Sequence, residues 1–253
     1  MTEVQTIGDA TLYLADCREV LPTLSELAAI VCDLLFFILA VHYQSCISWG
    51  CSWSDLLVLG EYFFQFAAMA KRALAEEGHL FVFCHDESYP VFYPGAYRLW
   101  DFTSALVWDK TRVGLGKIFR HQYEMILWAS NAGAYAASDG KLHSDILRHP
   151  PTFSGDRDHP VQKPPALMEE LLTVCTRPDD VVADLFMGSG TTGEAAVRLG
   201  RSFVGVEQEP RYFDIACRRI EQAQRQRDLF VHAPVPVHPV ETEIADLFSV
   251  AAD

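Results

Sequence analysis

Short apolar runs punctuate the chain, and several of them close on an acid. Thr11-Leu12-Tyr13-Leu14 reads as a strand ending at Asp16. Ala28 to Cys32 is a second strand, ending at Asp33. His79–Cys84, Phe102–Trp108, Tyr123–Ala129, Val181–Ala183 and Ser202–Val206 bring the expected strands to seven, the last ending at Glu207. Between them the apolar period changes to that of helices. Phe63, Phe66, Ala67, Ala70 and Leu74 share one face over Tyr62–Leu74, and Glu77-Gly78 marks the expected stop. Pro165–Thr176, Thr192–Leu199 and Pro210–Gln226 are the other expected helices.

Strands that alternate with helices predict an α/β fold, a mainly parallel sheet covered on both faces. Ligands of such sheets bind beyond the carboxyl ends of the strands. Asp16, Asp33, Asp184 and Glu207 all stand at or just after such ends. Two segments break the pattern. Ser130–Pro160 is rich in Gly, Ser, Asp, His and Pro, which reads as a long loop or insertion. Ala233-Pro234-Val235-Pro236 opens an extended tail. The expected organisation is one domain over residues 1–228, with an insertion near 110–158 and a tail over 229–253.

Half of the 253 residues are hydrophobic, enough for a buried core. No apolar run reaches the ~18 residues of a membrane span. Met1-Thr2-Glu3-Val4 is polar and acidic, unlike a secretory signal, so a cytoplasmic protein is expected. The seven cysteines make no Cys-x-x-Cys pair, and several sit in apolar runs, as buried thiols do. No metal site is expected. A net charge of −14 argues against non-specific coating of nucleic acid, which needs Lys and Arg. It leaves room for a local basic face. Arg112, Lys117, Arg120, Lys141, Arg148 and Arg157 gather in the insertion, with Lys117 and Arg120 the candidates for nucleic-acid contact. A solvated polar loop is the plain alternative.

The strongest motif is a strand, an acid, a glycine turn and a helix: Val181–Ala183, Asp184, Gly188-Ser189-Gly190, then Thr191 onward. Glycine lets backbone turn sharply and approach a ligand closely. Glu207, a strand later, has the offset of a carboxylate that holds ribose hydroxyls. Gly188, Gly190 and Gly193 also fit the dinucleotide fingerprint G-x-G-x-x-G. Asp184 opposes that reading, because a carboxylate repels a pyrophosphate and welcomes an ammonium.

Asp184-x-Phe186-x-Gly188-Ser189-Gly190-Thr191-Thr192, preceded about twenty residues upstream by His159-Pro160-Val161-Gln162-Lys163-Pro164, resembles the β-class amino DNA methyltransferases. The resemblance runs from about Thr11 to about Arg225. It implies a single Rossmann-like methyltransferase domain, with a seven-stranded sheet of mainly parallel strands and one antiparallel. It implies a circularly permuted order, catalytic half first. It also implies S-adenosylmethionine as methyl donor and double-stranded DNA as substrate, with methylation of adenine N6 or cytosine N4. Asp184, Phe186, Gly188, Ser189, Gly190 and Thr191 would hold the methionine part of the donor, and Glu207 its ribose. His159 and Lys163 would position its carboxylate, and Asp16 would lie near its adenine ring.

The family's catalytic Asp-Pro-Pro-Tyr corresponds here to Asp33-Leu34-Leu35-Phe36. The acid and the next carbonyl accept hydrogen bonds from the target amine, and the aromatic stacks on the flipped base. Asp33, the Leu34 carbonyl and Phe36 would take these roles. Both prolines are absent, and with them the fixed φ that aims the carbonyl. A misplacement of ~1 Å can cost about 100-fold in rate. An Asp in first place, where the family also uses Ser, favours adenine by resemblance. A catalytically impaired relative that binds DNA or cofactor, and N4-cytosine methylation, stay open, as do RNA or small-molecule substrates. A homodimer is a further expectation from the resemblance. Gln226-Arg227-Asp228-Leu229-Phe230 resembles the short peptides that dock on bacterial sliding clamps, against the plainer reading of a contact at a helix end.

Overall fold

A computed structural model of the chain describes residues 3–33, 53–114, 118–137, 143–152 and 162–231. The described strands are β1 (Glu3–Ile7), β2 (Ala10–Leu14), β3 (Leu27–Asp33), β4 (Leu74–Cys84), β5 (Phe102–Asp109), β6 (Tyr123–Ser130), β7 (Ile146–Arg148), β8 (Val181–Asp184) and β9 (Ser202–Glu207). They form one sheet in the order β1-β2-β9-β8-β3-β4-β6-β5-β7. The helices are α1 (Cys17–Val20), α2 (Trp53–Ala73), α3 (Tyr89–Tyr97), α4 (Pro165–Cys175), α5 (Thr191–Arg198) and α6 (Pro210–Val231). None of them is long and apolar enough to cross a membrane.

The expected α/β sheet is present, with all seven expected strands in it. β2, β9, β8, β3 and β4 run parallel, and β6 runs against β4 and β5. The chain's first strands join the sheet beside its last ones, as β2 pairs with β9 and β3 with β8. This is the permuted order of halves. The strand count is a correction: β1 and β7 extend the sheet at its two edges, to nine strands. Both are hard to read in sequence. β1 buries one residue, Ile7, and β7 buries Leu147 alone, so neither has an apolar period. β7 lies in the segment expected to be a long loop or insertion.

Three boundaries also differ. The helix expected from Tyr62 begins at Trp53 and ends at Ala73, and Glu77-Gly78 lies inside β4. β4 already pairs at Leu74 with Leu27, and a register shift between Leu27 and Ala29 absorbs the polar residues. α3 carries Pro94 in its interior and had no apolar signature to announce it. α6 continues past Gln226 to Val231, so Gln226–Phe230 belongs to a helix and does not follow one. Of the tail expected over 229–253, residues 232–253 lie outside the described residues.

Central strands are buried on both faces, which is why they read as continuous apolar runs. In β3, Ala29 and Val31 face one core, shared with Leu167, Leu171, Ala195, Phe213 and Ile220 from α4, α5 and α6. Ile30 and Cys32 face the other, shared with Phe63, Ala67 and Phe92 from α2 and α3. Phe63 and Phe92 stack at 4.4 Å. The two layers cover the sheet on both faces and leave its carboxyl edge to the loops.

Candidate active site

Glu207, Asp184 and Asp33 end three neighbouring strands, β9, β8 and β3, at one edge of the sheet. Each carboxylate is handled differently. Glu207 accepts from the backbone N–H of Gly188 (2.9 Å), Gln208 (3.0 Å) and Glu209 (2.9 Å). Burial pushes its carboxyl up, and those N–H groups oppose the rise. Asp184 accepts from the Thr192 hydroxyl (2.6 Å) and the Phe186 N–H (3.0 Å). Burial raises its carboxyl from the usual 3.8 to about 7 against those two bonds. Asp33 accepts from the Lys163 ammonium at 2.7 Å.

The glycine turn connects these acids to α5. Gly190 has φ +79° and caps α5, and a Cβ there would stand 2.9 Å from the Ala216 methyl. Left-handed backbone and contact with α6 both require glycine. At Gly193 a Cβ would meet Phe203 and Ile220 at 2.6 Å, so α5 can lie directly on β9 and α6. The turn's amides point inward. Phe186 N–H donates to Asp184, Met187 N–H to the Val206 carbonyl, Gly188 N–H to Glu207, and Gly190 N–H to the Met187 carbonyl. A phosphate-binding turn needs such amides for its ligand. Here they are spent on protein acceptors, which argues against the dinucleotide reading.

Asp33, Asp184, Lys163, Phe186, Ser189 and Thr191 line one cavity. Phe186 also lines a second, mostly apolar cavity with Cys17, Leu21, Leu59, Phe63 and Phe66. Asp16 caps α1 and accepts from Arg18, whose guanidinium holds its carboxyl below the usual range. Its chain neighbours Cys17 and Arg18 line the second cavity. Arg120 is exposed in the connection between β5 and β6, beside Ile118 and Phe119, which are exposed too. The structure thus brings together Asp33, Lys163, Asp184, Phe186, Ser189, Thr191 and Glu207. Leu34, Phe36, Lys117 and His159 lie outside the described residues.

Two residues at the site were missed in the sequence. Arg219 of α6 donates through Nη1 to the Ser189 carbonyl (2.8 Å) and hydroxyl (2.9 Å), and through Nη2 to Glu194 (2.5 Å). It latches the turn to the last helix. Its signal was a charge on the apolar stripe of Ala216, Ile220 and Ala223. Glu124 of β6 is buried, with its carboxylate 3.3 Å from Lys163. Its signal was an acid in phase with Ile126 and Trp128.

The set of acids suits a cationic ligand. Between about pH 4 and 7 native Asp184 keeps a proton that the unfolded chain has lost, so stability falls as pH rises through this window. In urea unfolding, wild type should lose stability relative to Asp184→Asn from about pH 4 to about 7, with the difference levelling off above. A difference independent of pH would place the proton elsewhere.

The comparisons with known proteins agree with this geometry. Type II methyltransferase M2.DpnII of Streptococcus pneumoniae is 35% identical over 133 residues, covering 46% of this chain and 50% of the relative. M2.LlaDCHI of Lactococcus lactis subsp. cremoris is 32% identical over 134 residues, with the same coverage. The chain therefore spans about half the length of the curated relatives it matches. Among solved structures, M1.HpyAVI in complex with SAM superposes with a TM-score of 0.63 at 24% identity, over 83% of this chain and 98% of the other. The cytosine-N4-specific PvuII DNA methyltransferase superposes at 0.67 and 17% identity, over 90% and 95%. At these identities the likeness is one of fold. The DNA methylase family of the N6/N4 type matches residues 58–218, more than half of the chain, and the chain belongs to that family.

Proposed function

We propose that this chain is a site-specific DNA methyltransferase that moves a methyl group from S-adenosylmethionine to N6 of an adenine flipped out of the duplex. One observation carries the reading: Asp33 and Asp184 line one cavity, so an acceptor carboxylate and a cation-holding carboxylate face the same space. S-adenosylmethionine, when bound, supplies a methyl group on a positively charged sulfur. Asp184 and the turn from Phe186 to Thr191 would hold its ammonium end, and Glu207 its ribose. His159 would hold its carboxylate, while Lys163 is engaged by Asp33 and Glu124. The apolar cavity that Phe186 lines suits a heteroaromatic ring, with Asp16 near it through its neighbours Cys17 and Arg18.

The chain's own task is to make an exocyclic amine nucleophilic. The nitrogen lone pair is delocalised into the ring. Asp33 and the Leu34 carbonyl would accept the amino hydrogens, so the nitrogen can become tetrahedral, and the proton it sheds on gaining a fourth bond would pass to the Asp33 carboxylate and on to solvent. Phe36 would stack on the base. A desolvated pocket strengthens these hydrogen bonds. The basic and aromatic connection between β5 and β6 would meet the DNA, through Lys117 and Arg120. Docking of Gln226–Phe230 on a sliding clamp, and a homodimer, are further partners of this reading.

The second reading is an impaired relative that binds DNA or donor without transfer. It draws on the missing prolines and on the engagement of Asp33 by Lys163.

Purified protein with labelled donor should methylate unmethylated duplex DNA, and Asp33→Ala should abolish transfer. Nucleoside mass spectrometry should find N6-methyladenine. N4-methylcytosine would change the base, and binding of the donor with transfer to no DNA would favour the impaired relative. For the interface, Arg120→Ala should lower the salt slope of DNA binding by about one. An unchanged slope removes Arg120 from contact with phosphate.

A further inference from the structure

Glu124 is a buried carboxylate that the chemistry above does not use. It stands near the start of β6, opposite Trp108 of β5, and its neighbour Met125 pairs with Cys84 at the end of β4. Because β6 runs against the parallel strands, its beginning lies at the edge where they end. The topology therefore delivers Glu124 to the edge that carries Asp33.

There it meets Lys163. Glu124 Oε2 is buried and receives no well-aligned hydrogen bond. Its compensation is charge: the Lys163 ammonium at 3.3 Å, and Lys110 at 3.8 Å. Lys163 stands at the same time 2.7 Å from Asp33, with its ammonium over the rings of Phe83 and Trp108. The order is Asp33, Lys163, Glu124. Burial pulls the Lys163 ammonium down, and the two carboxylates more than reverse this, holding it above its usual 10.5. A lysine ends a flexible stem of four carbons. With one carboxylate it would follow that partner's motion. With two, on different strands, its place is fixed between them.

We propose that Glu124 is a positioning residue, which holds the Lys163 ammonium beside Asp33 and so fixes where the Asp33 carboxylate stands in the cavity. This rests on the reading of Asp33 as the acceptor for the target amine. Glu124 touches neither base nor donor in this role, so its loss separates the kinetic constants. The donor site at Asp184 and Glu207 keeps its residues, while the acceptor loses its fixed place.

The test is Glu124→Gln, which keeps the shape and removes the charge. Without any ligand, the titration midpoint of Lys163, followed by NMR of its ε-carbon, should fall by about one unit or more relative to wild type. In methyl transfer, kcat should fall about 10-fold or more, while the calorimetric Kd for S-adenosylmethionine stays within about 2-fold. In a Lys163→Met background the same substitution should have no further effect on kcat, because the two residues act as one unit. Should Glu124→Gln fail to fold, Glu124→Met, apolar and of similar length, takes its place with the same readouts. An unchanged Lys163 midpoint in the folded variant overturns the inference. So does a loss of donor affinity as large as the loss of kcat, which marks a general structural role. If wild type transfers no methyl group, the proposed function falls, and the Lys163 midpoint alone decides whether Glu124 governs Lys163.

Discussion

Three carboxylates at the ends of neighbouring strands have to coexist at one sheet edge. Glu207, Asp184 and Asp33 belong to β9, β8 and β3, and the sheet sets their separation. Unpaired and ionised together, they would repel one another at the edge of a low-dielectric core. The fold resolves this in three ways: backbone N–H groups for Glu207, burial that raises the carboxyl of Asp184 to about 7, and an ammonium for Asp33. An edge so arranged is prepared for a cation, and a sulfonium donor with an α-ammonium group is one.

The glycine turn serves that arrangement more than it serves a phosphate. Its amides are directed at Asp184, Glu207 and neighbouring carbonyls, and Arg219 ties its far side to α6. Gly190 and Gly193 let α5 sit against α6 and β9, which fixes the height of the turn over the strands. The motif of glycines that two cofactor families share is thus used here to position acids. The permuted chain order has the same logic. β3 must lie beside β8 for Asp33 and Asp184 to face one cavity, and the order of the two halves in sequence does not alter that.

The central strands and the helices α2, α4, α5 and α6 were legible in sequence because burial on both faces leaves long apolar runs and clear helical periods. The edge strands β1 and β7 were not, since a strand that buries one residue has no period to detect. Asp184 and Glu207 were legible from their place after strands. The pairing of Lys163 with Asp33 and Glu124 was not. It joins residues 130 positions apart, and the antiparallel run of β6 that delivers Glu124 is a fact of topology. For the same reason Lys163, expected to serve the donor's carboxylate, is found bound first to the chain's own acids.

The proposed role requires this acidic edge to hold a cationic methyl donor. Calorimetric titration of S-adenosylmethionine into wild type and Glu207→Gln tests it most directly. Saturable one-to-one binding, weakened about 10-fold or more by the substitution, is the expected result, since the loss of a charge-assisted hydrogen bond costs roughly 1.5–3 kcal/mol. Absence of binding, or tighter binding of NAD than of S-adenosylmethionine, would overturn it.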